Sequence, residues 1–326
     1  MGLGLIGAGR VSLTGRGTGG RHTGRMAERL APEQTPLRIT SRPERTRGRT
    51  RRAFRRLVAL VLGIALLAAG TVATLHFLAI HRSAQEIRAT ALIPAEMAAK
   101  VLVVIARPGQ ELPLAGTLAA LDDAGATVSV LSLTDGAKQP PSLDFAKDSI
   151  GEVRADELAA SADLLGVDRV TTAAYTDGKL VAADPDKVTA TIAAEINEVA
   201  PSVILTVSDT TGTDTDSQAV AAYALTAAQA KGSGIGRVWT VTRGDREVSW
   251  NALAKAPIAD RVPDPQVSVR IDDQTAVKGE VLLAHGTQSP DLVRSTYPYA
   301  DRVPAWAYFR FWDREYFALA WGQPLL

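Results

Sequence analysis

Cysteine is missing from all 326 residues of this chain. Its absence excludes disulfide bonds, thiol catalysis and every metal site that needs a thiolate ligand. Histidine is scarce as well, since the chain has four and only His285 lies beyond residue 81. Because residues 101–326 contain a single histidine, they cannot form a zinc site with two imidazole ligands.

Acidic residues are rare at the amino end of the chain, and lysine is absent there. Residues 1–56 contain 14 arginines and three glutamates, a formal charge of +11, in a chain whose total is +1. The remaining residues therefore carry −10, and an acidic body argues against nucleic acid as its partner. The arginines of the tail suit anionic lipid. The same residues are rich in glycine, threonine and proline, which predicts a disordered tail.

The long apolar run Leu57–Ile80 has 24 residues and no charge. That length is sufficient to span a bilayer with some tilt. The arginines before it predict a cytoplasmic tail and an extracytoplasmic carboxyl-terminal part, with residues 81–100 as a juxtamembrane connector. A cleaved export signal is the alternative, since Thr50–Arg55 resembles a twin-arginine motif. Both interpretations export the protein to the cell envelope, and the first makes it a single-pass membrane protein.

A strand, a turn and a helix follow one another from Val101 onward. The apolar run Val101–Ile105 predicts a buried parallel strand, Ala106–Gly109 a turn, and the leucines from Leu112 a helix. Strand and helix signals then alternate, with strands over Thr127–Leu133, Val170–Tyr175, Pro201–Thr206 and Arg237–Thr242, and helices over Pro185–Glu198 and Ala219–Ala230. This alternation predicts an α/β fold, a single Rossmann-like domain over residues 101–326 with a mainly parallel sheet and flanking helices. Ligands bind at the carboxyl ends of such strands, so Arg107–Glu111 occupy the expected site.

Several segments resemble a known family. Residues 106–111 read Ala-Arg-Pro-Gly-Gln-Glu, residues 134–136 read Thr-Asp-Gly, and residues 212–217 read Gly-Thr-Asp-Thr-Asp-Ser. Between them, Arg154 begins an Arg-x-x-Glu-Leu pattern that ends in Leu-Gly-Val. In this order the segments resemble the PIG-L or LmbE-like family, the N-acetylglucosaminyl-phosphatidylinositol de-N-acetylases and their bacterial relatives. The resemblance runs from about Val101 to Phe317 and implies a zinc-dependent hydrolase of N-acetyl groups on amino sugars.

The residues that carry the family's chemistry are replaced here. The family's first motif is Ala-His-Pro-Asp-Asp-Glu, in which the His and the second Asp hold zinc and the first Asp is the general base. Arg107 and Gln110 stand at the two ligand positions, and Gly109 stands at the base position. The family's later motif is Gly-x-His-x-Asp-His. Asp214 replaces its first His, and Ser217 replaces its second His, the third zinc ligand.

These replacements do not supply what metal-dependent hydrolysis needs. Arg107 is a permanent cation that repels a metal ion, Gln110 offers a neutral carbonyl oxygen, and Ser217 offers a poor hydroxyl ligand. Four losses at one site predict a pseudoenzyme without zinc or another cofactor. We expect it to bind an envelope glycan, glycolipid or protein through the old pocket, by which we mean Arg107, Gly109, Gln110, Glu111, Arg154, Asp214, Asp216, Ser217 and His285.

Two other functions stay open at this point. One is an active metal-dependent de-N-acetylase that uses a non-standard site. The other is a structural subunit of a membrane complex, which would present an apolar surface patch rather than a pocket. The active de-N-acetylase requires a bound metal ion and the pseudoenzyme does not, so metal binding separates those two.

Acidic residues remain near the replaced ligands. The resemblance brings Glu111, Asp214 and Asp216 together, where they would repel one another without a cation. We predict that Arg107 supplies the positive charge through a salt bridge to Asp214 or Asp216. The alternatives are an Arg107 side chain in solvent, a Ca²⁺ or Mg²⁺ site that includes Asp209, and acids that only cap the following helix.

The remaining candidates each have two interpretations. Arg154 and Glu157 either face the old pocket or form a solvated pair on their helix. His285 is expected to be a hydrogen-bonded packing residue rather than a base. The aromatic residues near the carboxyl end form either a sugar-stacking platform or a cover over the core, and they are Trp306, Tyr308, Phe309, Phe311 and Trp312.

Overall fold

A computed structural model describes residues 47–80, 84–138, 149–209, 211–230, 232–259 and 263–325. The predicted disordered tail lies outside the described residues as far as residue 46. Helix α1, Arg47–Ile80, has 34 residues and is about 51 Å long at 1.5 Å per residue. Its segment Arg51–Thr71 is long and apolar enough to cross a membrane. This segment overlaps the predicted anchor Leu57–Ile80.

The domain that follows contains one sheet of eight strands in the order β1-β7-β8-β6-β5-β2-β3-β4. Its strands are β1 Gln85–Ile87, β2 Lys100–Ile105, β3 Thr127–Thr134, β4 Arg169–Tyr175, β5 Val203–Val207, β6 Arg237–Thr242, β7 Val267–Arg270 and β8 Arg314–Gly322. Neighbouring strands are parallel except where β8 pairs with β6 and β7. The mainly parallel α/β sheet predicted from the alternating pattern is confirmed.

Helices cover both faces of this sheet. They are α2 Ala115–Asp123, α3 Ile150–Leu164, α4 Pro185–Val199, α5 Thr215–Gln229, α6 Asp245–Leu253, α7 Thr275–Ala284, α8 Ser289–Ser295 and α9 Ala305–Phe311. Alternate residues of β2 point to opposite faces. Val103 packs with the core that includes α2, α7 and α9, whereas Val104 packs with the core that includes α4 and α5. Both faces of β2 are therefore buried, which explains its unbroken apolar run.

The strand order of the sheet changes direction at β2. From β2 the chain proceeds to β3 and β4 on one side, whereas β5 and β6 lie on the other side. The carboxyl ends of β2 and β5 thus flank a topological switch point, where open α/β sheets bind ligands. Arg107–Glu111 follow β2 and Asp214 follows β5, so the two replaced motifs meet at this edge.

Two parts of the sheet differ from the prediction. The segment 81–100 is not only a connector, because Gln85–Ile87 forms β1 and pairs with β7. Downstream of β1, the Trp239 indole donates to the Leu92 carbonyl at 2.9 Å and ties the segment to the core. The last strand, Arg314–Gly322, runs antiparallel between β6 and β7. Short edge strands and antiparallel insertions carry little periodic signal, which is why the pattern does not predict them.

Candidate functional site

Arg107 is held by two aspartates just after β2. Its two terminal nitrogens donate to the Asp214 carboxylate at 2.5 and 2.9 Å, and its Nε donates to Asp177 Oδ1 at 2.9 Å. Arg107 is only 8% exposed. Burial lowers the pKa of Arg107, but the two carboxylates raise it above its ordinary value. The predicted salt bridge from Arg107 to Asp214 or Asp216 is confirmed with Asp214 as the partner, and the solvent-facing alternative is wrong.

Gln110 and Ser217 complete a closed network around Asp214. The Gln110 amide nitrogen donates to Asp214 Oδ2 at 2.7 Å and to Ser217 Oγ at 2.6 Å, and the Ser217 hydroxyl donates to Asp214 Oδ2 at 2.7 Å. The Gln110 carbonyl oxygen accepts from the Ala106 N–H at 2.8 Å. The acceptor that Gln110 would offer a metal is therefore already used by the backbone. Burial raises the pKa of Asp214, but Arg107 and Ser217 hold it below its ordinary value of 3.8.

The three residues at the family's ligand positions do not fit zinc. A guanidinium stands at one position, and the amide and hydroxyl at the other two are hydrogen-bonded to Asp214. Within the described part of the chain, no group of three or more His, Cys, Asp or Glu residues is arranged to hold a metal ion. The alternative Ca²⁺ or Mg²⁺ cluster of Asp209, Asp214, Asp216 and Glu111 therefore gains no support.

The acids that were expected to converge have separate roles. Asp214 is the N-cap of α5 and accepts from the Ser217 N–H. Asp216 instead accepts from the N–H groups of Gly178 and Leu180, at 2.6 and 3.1 Å. The predicted cap is confirmed for Asp214, whereas the expected meeting of Glu111, Asp214 and Asp216 is wrong. Backbone donors, rather than a cation, satisfy Asp216.

Glu111 and His285 form a buried pair behind this network. Glu111 is 1% exposed, accepts from the Gly109 N–H at 2.9 Å and from Ser161 Oγ at 2.8 Å, and bonds to His285 Nε2. Burial raises the pKa of Glu111, but His285 brings it below 4.5. Burial lowers the pKa of His285, but Glu111 brings it above 6.5. The prediction that His285 is a hydrogen-bonded packing residue is confirmed.

Arg154 and Glu157 are buried, so the solvated helix pair is wrong. Arg154 donates to the Gly136 carbonyl and to Thr287 Oγ1, the latter at 3.4 Å. Glu157 accepts from the N–H and hydroxyl of Thr287 at 2.6 and 2.7 Å. Burial lowers the pKa of Arg154. Asp177 and Glu157 oppose this shift through their negative charges. Arg154 is 1% exposed and forms part of the wall of the cleft described below.

Gly109 has a conformation that few side chains adopt. Its φ is +90°, and a Cβ built on it would lie 3.1 Å from the amide of Gln288. Glycine adopts this region without a steric penalty, whereas a residue with a side chain is strained there. The position of the family's general base is thus shaped for glycine in this protein.

An open cleft of about 370 Å³ lies over the network. Its walls include six of the nine predicted pocket residues, namely Arg107, Gly109, Gln110, Arg154, Asp214 and Ser217. Glu111, Asp216 and His285 are buried beneath it and do not line it. The residue patterns did not predict Asp177 and Thr287 as site residues.

The comparison with known proteins agrees with this geometry. Residues 102–228 match the PIG-L family model, described as GlcNAc-PI de-N-acetylase. Residues 102–228 form a PIG-L family domain. No protein of curated function matches the chain significantly. The PIG-L match covers both replaced motifs, since it begins within β2 and ends within α5.

Solved structures share the fold of this chain at low identity. GalB, the 4-carboxy-2-hydroxymuconate hydratase from Pseudomonas putida KT2440, has a TM-score of 0.52 at 17% identity, over 71% of this chain and 99% of its own. The A40926 pseudoaglycone deacetylase Dbv21 has a TM-score of 0.51 at 16% identity, over 70% and 100%. A triple mutant of a deacetylase from teicoplanin biosynthesis has a TM-score of 0.50 at 18% identity, over 68% and 98%. Since a hydratase and deacetylases share the fold, the PIG-L fold alone does not set the reaction.

Proposed function

We propose that this protein is a non-catalytic PIG-L domain that binds an amino-sugar glycan or glycolipid in the cell envelope. The supporting observation is the Arg107 guanidinium, which is bidentate to Asp214 at the edge where the family holds zinc. A zinc hydrolase needs three protein ligands and an open coordination position. Here a fixed cation and two hydrogen-bonded neutral side chains stand at the three ligand positions.

The same proposal includes a single-pass membrane anchor. Arg51–Thr71 is long and apolar enough to cross a membrane, and arginines precede its apolar part. By the positive-inside rule the arginine-rich end faces the cytoplasm, and the PIG-L domain faces the outside of the membrane. The domain is then positioned to meet envelope glycans and glycolipids.

The cleft supports binding rather than turnover. Its volume of about 370 Å³ falls within the range of small-molecule sites. Arg154 lines it, and its guanidinium has five N–H donors that suit hydroxyl, amide or anionic groups of a ligand. A base to activate water is missing from the family position, where Gly109 stands.

The test uses the full chain in detergent or nanodiscs with N-acetylglucosamine-containing oligosaccharides and glycolipids. We expect saturable binding with no release of acetate, in the presence and absence of added Zn²⁺. Thr213→Trp places an indole at the exposed rim of the cleft and is expected to weaken binding at least tenfold. Val181→Trp adds the same ring at a site that is 59% exposed and outside the cleft, so it should bind like the wild type.

Three results would contradict the proposal. Zinc-dependent release of acetate would establish the alternative, an active de-N-acetylase with a non-standard site. Equal binding by the Thr213→Trp and Val181→Trp variants would show that the ligand does not enter the cleft. A chain that binds no glycan or glycolipid in either environment would favour the structural role in a membrane complex.

A further inference from the structure

The segment 299–311 leaves four large apolar side chains in solvent. Their exposed fractions are 42% for Tyr299, 47% for Val303, 59% for Trp306 and 54% for Phe311. Exposed arginines are interspersed at positions 302 and 310. We call this segment the aromatic–arginine face. Exposed apolar residues that cluster in this way mark interaction surfaces, whereas single ones are ordinary.

Ring contacts link the two ends of the face, Tyr299 and Phe311, through Trp250 and Trp312. The Trp250 ring lies 5.7 Å from the Tyr299 ring and 5.8 Å from the Trp312 ring, and Trp312 lies 5.1 Å from Phe311. The Arg302 guanidinium stacks over Tyr299 at 5.2 Å. These rings are packed against their neighbours, so little conformational entropy is lost when the surface binds a partner.

Aliphatic side chains extend the face. Leu283 of α7 is 68% exposed and lies one turn after Gly279, whose backbone packs against Ala305 and Trp306. Neither Leu283 nor Val303 can donate or accept a hydrogen bond, so they do not suit a sugar. Aliphatic groups, amphipathic rings and arginines together are typical of proteins that insert into the headgroup region of a bilayer.

The face belongs to the side of the sheet where the chain arrives from its membrane helix. Helix α1 ends at Ile80 and β1 begins at Gln85, a separation of at most about 18 Å at roughly 3.5 Å per residue. Glu86 of β1 pairs with Arg314, which lies two residues after Trp312. A domain tethered this closely to a bilayer meets its surface at a high effective concentration.

We propose that the aromatic–arginine face binds the interfacial region of the same bilayer that α1 crosses. This contact rests on the membrane anchor in the proposed function and is independent of any ligand in the cleft. Trp306 and Phe311 would enter the headgroup and acyl boundary by about 5–10 Å. The arginines would meet lipid phosphates, with a preference for anionic lipids.

The absence of cysteine allows a direct test with single nitroxide labels. Full chains carrying Trp306→Cys or Val181→Cys are labelled, reconstituted into nanodiscs and checked for co-elution with the disc. The two sites are equally exposed, at 59%. Collision rates with oxygen, which concentrates in lipid, and with a water-soluble nickel chelate then report the depth of each label. We expect the label at 306 to show at least a threefold higher oxygen-to-nickel ratio than the label at 181, and phosphatidylglycerol to increase that difference.

Every other outcome overturns the proposal. Equal, water-like ratios at both sites in discs that contain the chain would show that the face does not touch the bilayer. A label at 306 that is protected from oxygen and nickel alike would indicate a protein partner instead. Failure to co-elute with the disc would show that α1 does not anchor the chain in the bilayer, while glycan binding by the cleft would still be measurable.

Discussion

Two clusters of polar side chains lie next to each other in this domain and differ in almost every respect. The front cluster, Arg107, Gln110, Asp214 and Ser217, lines the cleft and stands where the family binds zinc. The rear cluster, Glu111, Ser161 and His285, is buried beneath it. Gln110 and Glu111 are adjacent in sequence, yet Gln110 belongs to the front cluster and Glu111 to the rear cluster. Glu111 in the rear cluster matches the last residue of the family's first motif, whereas Arg107, Gln110 and Ser217 in the front cluster depart from the motifs in which they stand.

The largest effect should come from breaking the rear cluster. Glu111→Ala removes a buried carboxylate that has three hydrogen-bond partners. It leaves the backbone N–H of Gly109 and the His285 ring without a hydrogen-bond partner. We expect a loss of about 3–5 kcal/mol in the free energy of unfolding, the range for a broken buried ion pair. Urea unfolding of the full chain in detergent measures it. The exposed Glu152→Ala is the control and should change stability by less than about 0.5 kcal/mol.

Breaking the front cluster should cost somewhat less. Arg107→Met leaves Asp177 and Asp214 without their shared cation, at a site that is less completely buried. We expect a loss of about 3 kcal/mol at neutral pH, the lower end of the range for buried pairs. The loss should shrink below pH 4, since an Asp214 carboxyl without Arg107 becomes protonated there and no longer carries a buried unpaired charge. An equal loss at both pH values would mean that packing, not charge, is what Arg107 contributes.

Restoring the acid at the family's base position should also destabilise the protein. Gly109→Asp places a side chain at φ +90° and within 3.1 Å of Gln288, for an expected loss of about 1–3 kcal/mol. Gly125→Asp is the matched control, since Gly125 has φ +80° and no neighbour within 4 Å of its Cβ. The difference between the two variants measures the contact with Gln288, and a smaller loss at Gly109 would contradict the structure.

The smallest expected effect is the pH dependence of the rear cluster. Folding raises the pKa of His285 above 6.5. Its contribution to the free energy of unfolding is therefore complete below pH 6.5 and is lost as the pH rises through the folded-state pKa. Folding lowers the pKa of Glu111 below 4.5, so its contribution is present above 4.5 and is lost as the pH falls. The pair therefore stabilises most between pH 4.5 and 6.5. For each of the two residues, the free energy of unfolding changes by at most about 1.4 kcal/mol per pH unit.

Unfolding free energies measured across that pH range provide the check. Glu111→Ala should remove the contribution of the pair on both sides of its maximum. A wild-type curve that keeps rising from pH 6.5 to pH 9 would contradict the assignment of a charged His285 in the folded protein.

The sequence predicts the parts of the fold that repeat regularly. The strand Arg237–Thr242 has the predicted bounds, and the helix predicted over Pro185–Glu198 ends one residue later, because long apolar periods fix such elements. The three-residue strand β1 and the antiparallel strand β8 are set by tertiary pairing, which leaves no periodic trace. The family resemblance and charge complementarity together predicted a salt bridge from Arg107 to Asp214 or Asp216, and the structure shows Asp214 as the partner.

The site residues that the sequence does not predict depend on the orientation of loops. Asp177 reaches Arg107 from the loop after β4, and Asp216 turns to the backbone of the same loop. Residue spacing does not show which way such side chains point. For Arg154 the sequence left a pocket-facing and a solvated position open, since a charged residue on a helix is ordinarily solvated, and only the packing of α3 shows that this one is buried.

Metal content is the most direct test of the central claim that the front cluster has replaced the zinc site. The full chain is incubated with Zn²⁺, freed of excess ion and analysed for bound zinc, and its melting temperature is measured with and without the ion. The triple variant Arg107→His, Gln110→Asp, Ser217→His, which restores the family's ligand set, serves as the positive control. We predict no stoichiometric zinc and an unchanged melting temperature for the wild type. About one tightly bound zinc ion per wild-type chain, with a rise in melting temperature, would contradict the account.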